Sequence, residues 1–530
     1  FGQAFVILFA TGCRFAASLI EGERLMFLNA VVSPSLPTAA ILLPRVSAAQ
    51  SRTVEAKVLV EPLRTADVKK LLPANGWAVL NYGGLNLGDE RLNERAVRMV
   101  AKIAEHPGFS LPKQMEGHKE LMAAYAFLNN EAVTLEALLE PHRRATLTAA
   151  SNHELVLMVE DSTELDLTAH SKMTGLGPIG DGKGRGLILH STLAVVPENR
   201  VILGLAHAQV VLRQPQPKKN CHWAESPEAK VWEESVRKVG AASDGSTFIH
   251  VSDRGSDIFG YMAACRDYGK HFVVRAFHDR VLLWDDGSTE AEDEVAHTLK
   301  KFVRSLDPQP GVGYTVEVHA HNKKEVARQA RVVLQWTKVT IPPPAQGPRE
   351  LRSHTPIDVS LLRVWEQEPP SGAQRVEWIL ISSLPIETIE DAYRTVDWYK
   401  CRWLCEDYHQ ALKTGCRIEH SQLDDGADIE RLVGFLAPVA VRLLQTRQAA
   451  HHTPDVPATT IVEPLMVTML ARKQGKKKVT MTMREFFAGV AALGGHQGRR
   501  SDGPPGWRTL WLGWQQLSDL TEGARLILGE

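Results

Sequence analysis

The chain has 530 residues, 61 Lys and Arg against 62 Asp and Glu, and 44% hydrophobic residues. These figures exclude a disordered or membrane-embedded protein, and a formal net charge of -1 excludes recognition of nucleic acid through overall charge. The length exceeds one ordinary core, so about three domains are expected, and any DNA contact must come from local patches.

Residues 1–73 read as a leader outside the core, disordered or non-native. Phe5 to Ile20 is apolar but contains Arg14 and is too short to span a bilayer. An export signal cleaved near Ser47-Ala48-Ala49 is the other reading, although no basic region precedes the apolar run. Residues 34–53, rich in Ser, Pro and Ala, read as a linker. The cysteines Cys13, Cys221, Cys265, Cys401, Cys405 and Cys416 form no regular framework, which suits a reducing cytoplasm.

Leu87-Gly88-Asp89 opens an amphipathic helix from Glu90 to Glu105, with Arg91, Arg95, Arg98 and Lys102 at helical spacing. That face suits a phosphate backbone; a solvated face balanced by Glu90 and Glu94 is the alternative. Helices near 118–129 and 133–149 complete a helical domain over 74–149. Apolar runs follow: Leu155 to Val159 leading into Glu160-Asp161, Leu187 to Val196, Val201 to Val211, Phe248 to Val251 leading into Ser252-Asp253, and Phe272 to Arg275. With helical character at 256–268, they predict an α/β core. Residues 280–380 read as a β-rich insertion, with strands at Val281 to Trp284, Tyr314 to Val318, Ala330 to Trp336, Val359 to Trp365 and Val376 to Ile381. A long helix over about 388–413 and mostly helical sequence follow. From Pro438 to Glu530 there are 12 Lys/Arg and 7 Asp/Glu, densest in cations at Arg472, Lys473 and Lys476 to Lys478.

Asp161 and Asp253 both stand at predicted strand ends, where a lone Asp is ordinarily a turn or helix cap. A third acid on a neighbouring helix changes that reading, because hard divalent cations need several oxygens converging from different elements. Two ions about 3.5–4 Å apart can then activate the attacking and leaving oxygens of phosphoryl transfer. At roughly 100° per residue, with Tyr399 at 0°, Arg402 falls at about 300°, Glu406 at about 340° and Lys413 at about 320°. This shared face suits a metal-ligating carboxylate flanked by phosphate-gripping groups; a surface ladder of salt bridges is the alternative. On the same helix, Cys401, Cys405 and His409, with Cys416 and His420 nearby, read either as zinc ligands or as buried thiols.

The segment Tyr399-Lys400-Cys401-Arg402-Trp403-Leu404-Cys405-Glu406, continuing to Lys413, resembles the Tyr–(2)–Arg–(3)–Glu–(6)–Lys signature of bacterial insertion-sequence transposases of the Asp-Asp-Glu class (the IS-four family, of Tn-five type). In the family's order, Val159 to Thr163 resembles its first-Asp strand, and Gly184-Arg185-Gly186 with His190-Ser191 resembles the segment after it. Val251 to Ile258 resembles its second-Asp motif, Glu377 to Leu380 the strand returning from the insertion, and 493–514 its tryptophan-rich tail. The resemblance covers about 77–530 and implies an RNase H-like catalytic core over 150–435 with the β-sheet insertion. Helical domains would flank it, an end-binding one at 74–149 and a dimerisation domain at 436–530.

It further implies that Asp161, Asp253 and Glu406 ligate two Mg2+ ions, with Mn2+ substituting. Tyr399, Arg402, Lys413 and Arg275 would hold the DNA backbone, Arg91 and Arg95 would contact the transposon end, and Trp378 would stack on a base flipped from a hairpin, packing on its strand being the other reading. Asp257 reads as a helix-terminal residue and not a fourth ligand. The implied reaction is cut-and-paste transposition by nicking, hairpin formation and strand transfer. It would act on duplex end and target DNA, as a homodimer at the bacterial nucleoid in the cytoplasm. Gln410 and Leu92 stand where the family is commonly basic, which bears on affinity for ends. A catalytically weak relic or inhibitor that binds ends without cutting is a second reading, and a structure-specific nuclease a third.

Overall fold

The computed structural model describes residues 5–11, 14–21, 24–30, 74–214, 226–283, 298–309, 313–318, 328–460, 462–477, 479–499 and 505–528. The linker at 34–53, with Ser47-Ala48-Ala49, and Cys13, Cys221, Trp284 and Lys478 lie outside them. The chain divides into two compact units, residues 1–67 and 68–530. The first, expected to be disordered or foreign, carries three paired antiparallel strands, β1 (Phe5–Thr11), β2 (Arg14–Glu21) and β3 (Arg24–Ala30).

The second unit opens with helices, the longer ones being α1 (Ala74–Tyr82), α2 (Glu90–Glu105), α3 (Gly117–Leu128) and α4 (Leu135–Ala150). Asp89 caps α2 by accepting from the Arg91 amide, and α2 buries Ala96, Met99, Val100, Ile103 and Ala104 on one stripe. That is the i, i+3, i+4 pattern the sequence shows, and burying each large apolar side chain contributes about 1.5–3 kcal/mol. There follow β4 (Leu155–Asp166), β5 (Gly177–Ile179), β6 (Gly184–Val196), β7 (Val201–Val211), α5 (Pro227–Val239), β8 (Thr247–Ser252), α6 (Phe259–Asp267) and β9 (His271–Arg275). The insertion adds α7 (Leu299–Ser305), β10 (Tyr314–Val318), β11 (Arg328–Ile341), β12 (Ile357–Trp365) and β13 (Glu377–Ser382). Last come α8 (Ile389–Lys400), α9 (Trp403–Gln410), α10 (Gly426–His452), α11 (Pro464–Lys473), α12 (Met483–Leu493) and α13 (Trp507–Leu528). Among the described residues no helix is long and apolar enough to cross a membrane.

Ten strands form one mixed sheet in the order β10-β11-β12-β13-β9-β8-β4-β6-β5, with β7 also paired to β6. Among the described strands only β9, β8 and β4 run parallel to one another. The predicted insertion is therefore no separate layer, because β13 pairs with β9 through Leu380↔Arg275 and Ile381↔Val274 and extends the core sheet. The strand expected at Val281 to Trp284 is reduced to single bridges from Val281 to Thr298 and Leu283 to Thr340.

The strand period of two sorts side chains between the faces. Leu157 and Val159 of β4, Ile249 and Val251 of β8, Val273 of β9 and Leu380 of β13 join one core cluster with residues of α8 to α10. Phe272, Val274, Ile379 and Ile381 point the other way, into a second cluster with α5 and α6. The same alternation puts Asp161, Arg275 and Trp378 on the face that α8 and α9 cover, and points the line through Ile249 and Val251 at Asp253.

Candidate active site

Two corrections to the expected elements locate this site. First, β4 does not end at Asp161 but runs to Asp166, since β6 keeps pairing with it as far as Asp166↔Gly186. The end that exists is on the other side, where parallel pairing with β8 stops at Glu160↔Ser252. Asp161 and Asp253 are the next residues on the two adjacent strands, strand neighbours being about 4.8 Å apart. Second, the helix expected over 388–413 is broken. It tightens to i→i+3 bonds at Cys401 and Arg402 (Cys401 to Trp398, Arg402 to Tyr399), and after Gln410 it widens into a π turn, Ala411–Gly415. Local winding thus departs from a uniform 100°, although Tyr399, Arg402 and Glu406 still converge on the sheet face.

Arg402 joins the pieces. Its Nη1 donates to Asp161 Oδ2 at 2.8 Å and to Glu406 Oε1 at 3.3 Å. Asp161 is buried, and its Oδ1 accepts from the Ser162 amide at 2.8 Å. Burial pushes the Asp161 carboxyl up to about 7; Arg402 opposes the rise, while the charges of Asp253 and Glu406 add to it. Burial opposes the Arg402 charge too, yet Asp161, Tyr399 and Glu406 outweigh it and raise the guanidinium pKa. Carboxylates coupled this way invite a cation, and the guanidinium supplies one.

One ligand atom each from Asp161, Glu406 and His409 lies within 4.8 Å of the others. Asp253 stands outside that tight group. It caps the 3-10 turn Arg254–Ser256 by accepting from the Gly255 amide at 2.7 Å, so the turn-cap reading holds for it, yet its charge reaches both Asp161 and Arg402. His409 is the member that sequence reasoning assigned only to a zinc stripe. Its ring is buried, and burial, with Lys413, His190 and Arg402, brings its pKa down to about 3. A Glu-x-x-His spacing was the available signal.

The zinc reading is overturned. Cys401, Cys405 and Cys416 donate separately to the carbonyls of Asp397, Val159 and Leu436, and burial raises all three thiol pKa values, so each stays a protonated core thiol.

Beside the carboxylates, Tyr399 meets the Trp378 ring edge-on at 5.4 Å, and Arg275 neighbours Tyr399 while donating to the Glu377 carbonyl at 3.1 Å. Lys413 lies in the π turn, donates to the Glu164 carbonyl and stands 3.5 Å from Glu419. It borders an open cleft lined by Glu164, Asp166, Gly180, Asp181 and Gly184. Asp257 is fully buried, ion-paired to Arg280 at 2.6 Å and bonded to the amides of Phe277 and His278, which anchors the turn after Asp253.

On the opposite sheet face, Glu160, His250 and His190 form a fully buried cluster that sequence reading missed. Burial alone would raise the Glu160 carboxyl, but His250 and His190 hold it down to about 2. His190 and His250 pack edge-on against Trp232 and Tyr261 respectively.

On α2, three of the four expected basic residues are paired: Arg91 with Asp89, Arg98 with Glu94 and Lys102 with Glu116. Near α11, Lys476 lies 3.8 Å from Glu485.

Comparison with known proteins bears on both ends of the chain. Residues 74–133 match the family described as transposase DNA-binding, and residues 439–529 match the transposase Tn5 dimerisation domain. A solved piggyBac transposase synaptic complex with hairpin DNA is similar at 9% identity and a TM-score of 0.33, over 86% of this chain and 85% of that one. The end domains define a DNA transposase. Within that class, the carboxy-terminal match is to the Tn5 type.

Proposed function

We propose that this chain carries out cut-and-paste transposition of an insertion sequence, by nicking, hairpin formation and strand transfer on duplex ends and target DNA. In this reading residues 150–435 are an RNase H-like core with its insertion at about 280–380, residues 74–149 bind ends, and residues 436–530 pair two copies into a homodimer. Residues 1–73 lie outside this reading. The work is done at the bacterial nucleoid.

The observation that carries the reading is the Arg402 bridge, which holds acids from a strand and a helix together on one sheet face. Asp161, Asp253 and Glu406 would hold two divalent ions, Mg2+ with Mn2+ as substitute. Bound ions would supply an activated water or hydroxyl and a counter-charge for the leaving oxygen. The Arg402 guanidinium, beside Arg275, Tyr399 and Lys413, would be the group available to a phosphate. Trp378, half-buried and in contact with Tyr399, offers a ring for an extruded base, which contributes ~1–3 kcal/mol on stacking.

Glu406→Ala should abolish nicking and hairpin formation on the element's own ends while gel-shift binding persists. Cutting at the normal rate by that variant would overturn the metal assignment. End binding without product from the parent chain, in Mg2+ or Mn2+, would instead establish an inactive end-binding relic.

A further inference from the structure

Glu406 and His409 are separated by two residues on α9, so they face the same way, the spacing with which helices present a carboxylate and an imidazole to one metal pair in carboxylate-bridged dimetal proteins. Here the two side chains meet Asp161 of β4, with ligand atoms within 4.8 Å of one another. His409 is only 5% exposed, and its Nε2 is buried with no hydrogen-bond partner among the described residues. Leaving a buried nitrogen unpaired is costly, so such a group needs a reason. A cation among the three side chains supplies one and also relieves the crowding of Asp161 and Glu406.

We propose that His409 is the nitrogen ligand of the ion held between Asp161 and Glu406. The inference rests on the metal-centre reading above and sharpens it, because it gives that ion two carboxylates and an imidazole where the acid trio alone gives oxygen only. Imidazole suits transition metals, whereas Mg2+ prefers carboxylate and water. The site should therefore take Mn2+ more tightly than Mg2+, and His409 should set much of that preference.

The test is pulsed electron paramagnetic resonance on the full chain loaded with Mn2+. Expected is a directly bound 14N coupling that changes to the 15N pattern in protein labelled with 15N-histidine. In His409→Gln the coupling should vanish, with Mn2+ affinity falling about tenfold or more and Mg2+ affinity changing less. Bound Mn2+ without nitrogen coupling, or coupling that survives His409→Gln, overturns the role of His409 and leaves the carboxylate centre standing. Mn2+ that fails to bind, or binds unchanged in Asp161→Asn and Glu406→Gln, overturns both. If the variant misfolds, absence of histidine coupling in the labelled parent protein still overturns the proposal.

Discussion

Arg402 Nη1 lies 2.8 Å from Asp161 Oδ2 although 241 positions separate the two residues in the chain, and the same nitrogen reaches Glu406. A guanidinium between two carboxylates neutralises a site whose negative charge would otherwise oppose folding. Arg402→Ala should therefore destabilise the metal-free protein, by less than the ~3–5 kcal/mol of a fully buried charge pair because the Asp161 carboxyl can take up a proton. Divalent ions should restore part of that loss. Thermal melts with and without Mn2+ check this, the ion-induced rise in Tm being larger in the variant than in the parent.

Asp161 predicts a trade of stability against activity. Its folded pKa of about 7 lies above the ordinary 3.8, so the carboxyl weakens the fold progressively as pH rises between those values. Asp161→Asn should raise Tm by several degrees above pH 7, with the gain vanishing near pH 4, and should abolish cutting. A melt series from pH 4 to 8 decides it, an equal shift at both ends speaking against the assignment.

The same carboxyl governs ion uptake. Below about pH 7 its proton competes with a cation, and above it the site is open. Calorimetric Mn2+ affinity should rise about tenfold from pH 6 to pH 8, and the rise should flatten in Asp161→Asn.

Trp378 and Tyr399 meet edge to face, so removing the indole should spare the carboxylates. Trp378→Ala is expected to leave the first nick within a fewfold of normal and slow hairpin formation or opening by about 10- to 100-fold, equivalent to losing one stacked base. Single-turnover assays with 2-aminopurine at the end base report both steps.

On α2, Arg91 folds back onto Asp89, whereas Arg95 lies between them and the ion-paired Arg98. Replacing Arg91 and Arg95 with alanine should weaken binding to end DNA and lower the slope of log affinity against log salt by about one for each phosphate left without its cation. An unchanged slope would assign both to the protein surface alone.

Much of this fold was legible because hydrophobic period reports local structure. The bounds read for Glu90 to Glu105, Val201 to Val211 and Tyr314 to Val318 coincide with the observed elements. What period does not report is pairing between distant segments. Glu160 to Glu164 reads as a polar strand end, but β6 carries the ladder through it, and the order of ten strands follows from contacts that no local pattern encodes. The break at Cys401 and Arg402 was hidden for a related reason, since nothing in their side chains forbids helix. Arg402 and Glu406 were legible together by helical spacing, whereas Asp161 joined Glu406 only through the family resemblance. His409 was not read with them: its Glu-x-x-His spacing from Glu406 was there, but the stripe it shares with Cys401 and Cys405 drew it into the zinc reading.

The join between β9 and β13 has a practical consequence for anyone trimming this protein. Because Arg275, Val274 and Val273 are matched by Leu380, Ile381 and Ser382, excising the insertion together with β13 would strip a neighbour from a strand beside the candidate site. Bare amides and carbonyls there would seek other chains, so a minimal enzyme made by deletion should precipitate before it could be assayed. A shortened version needs a replacement strand, not merely a shorter loop.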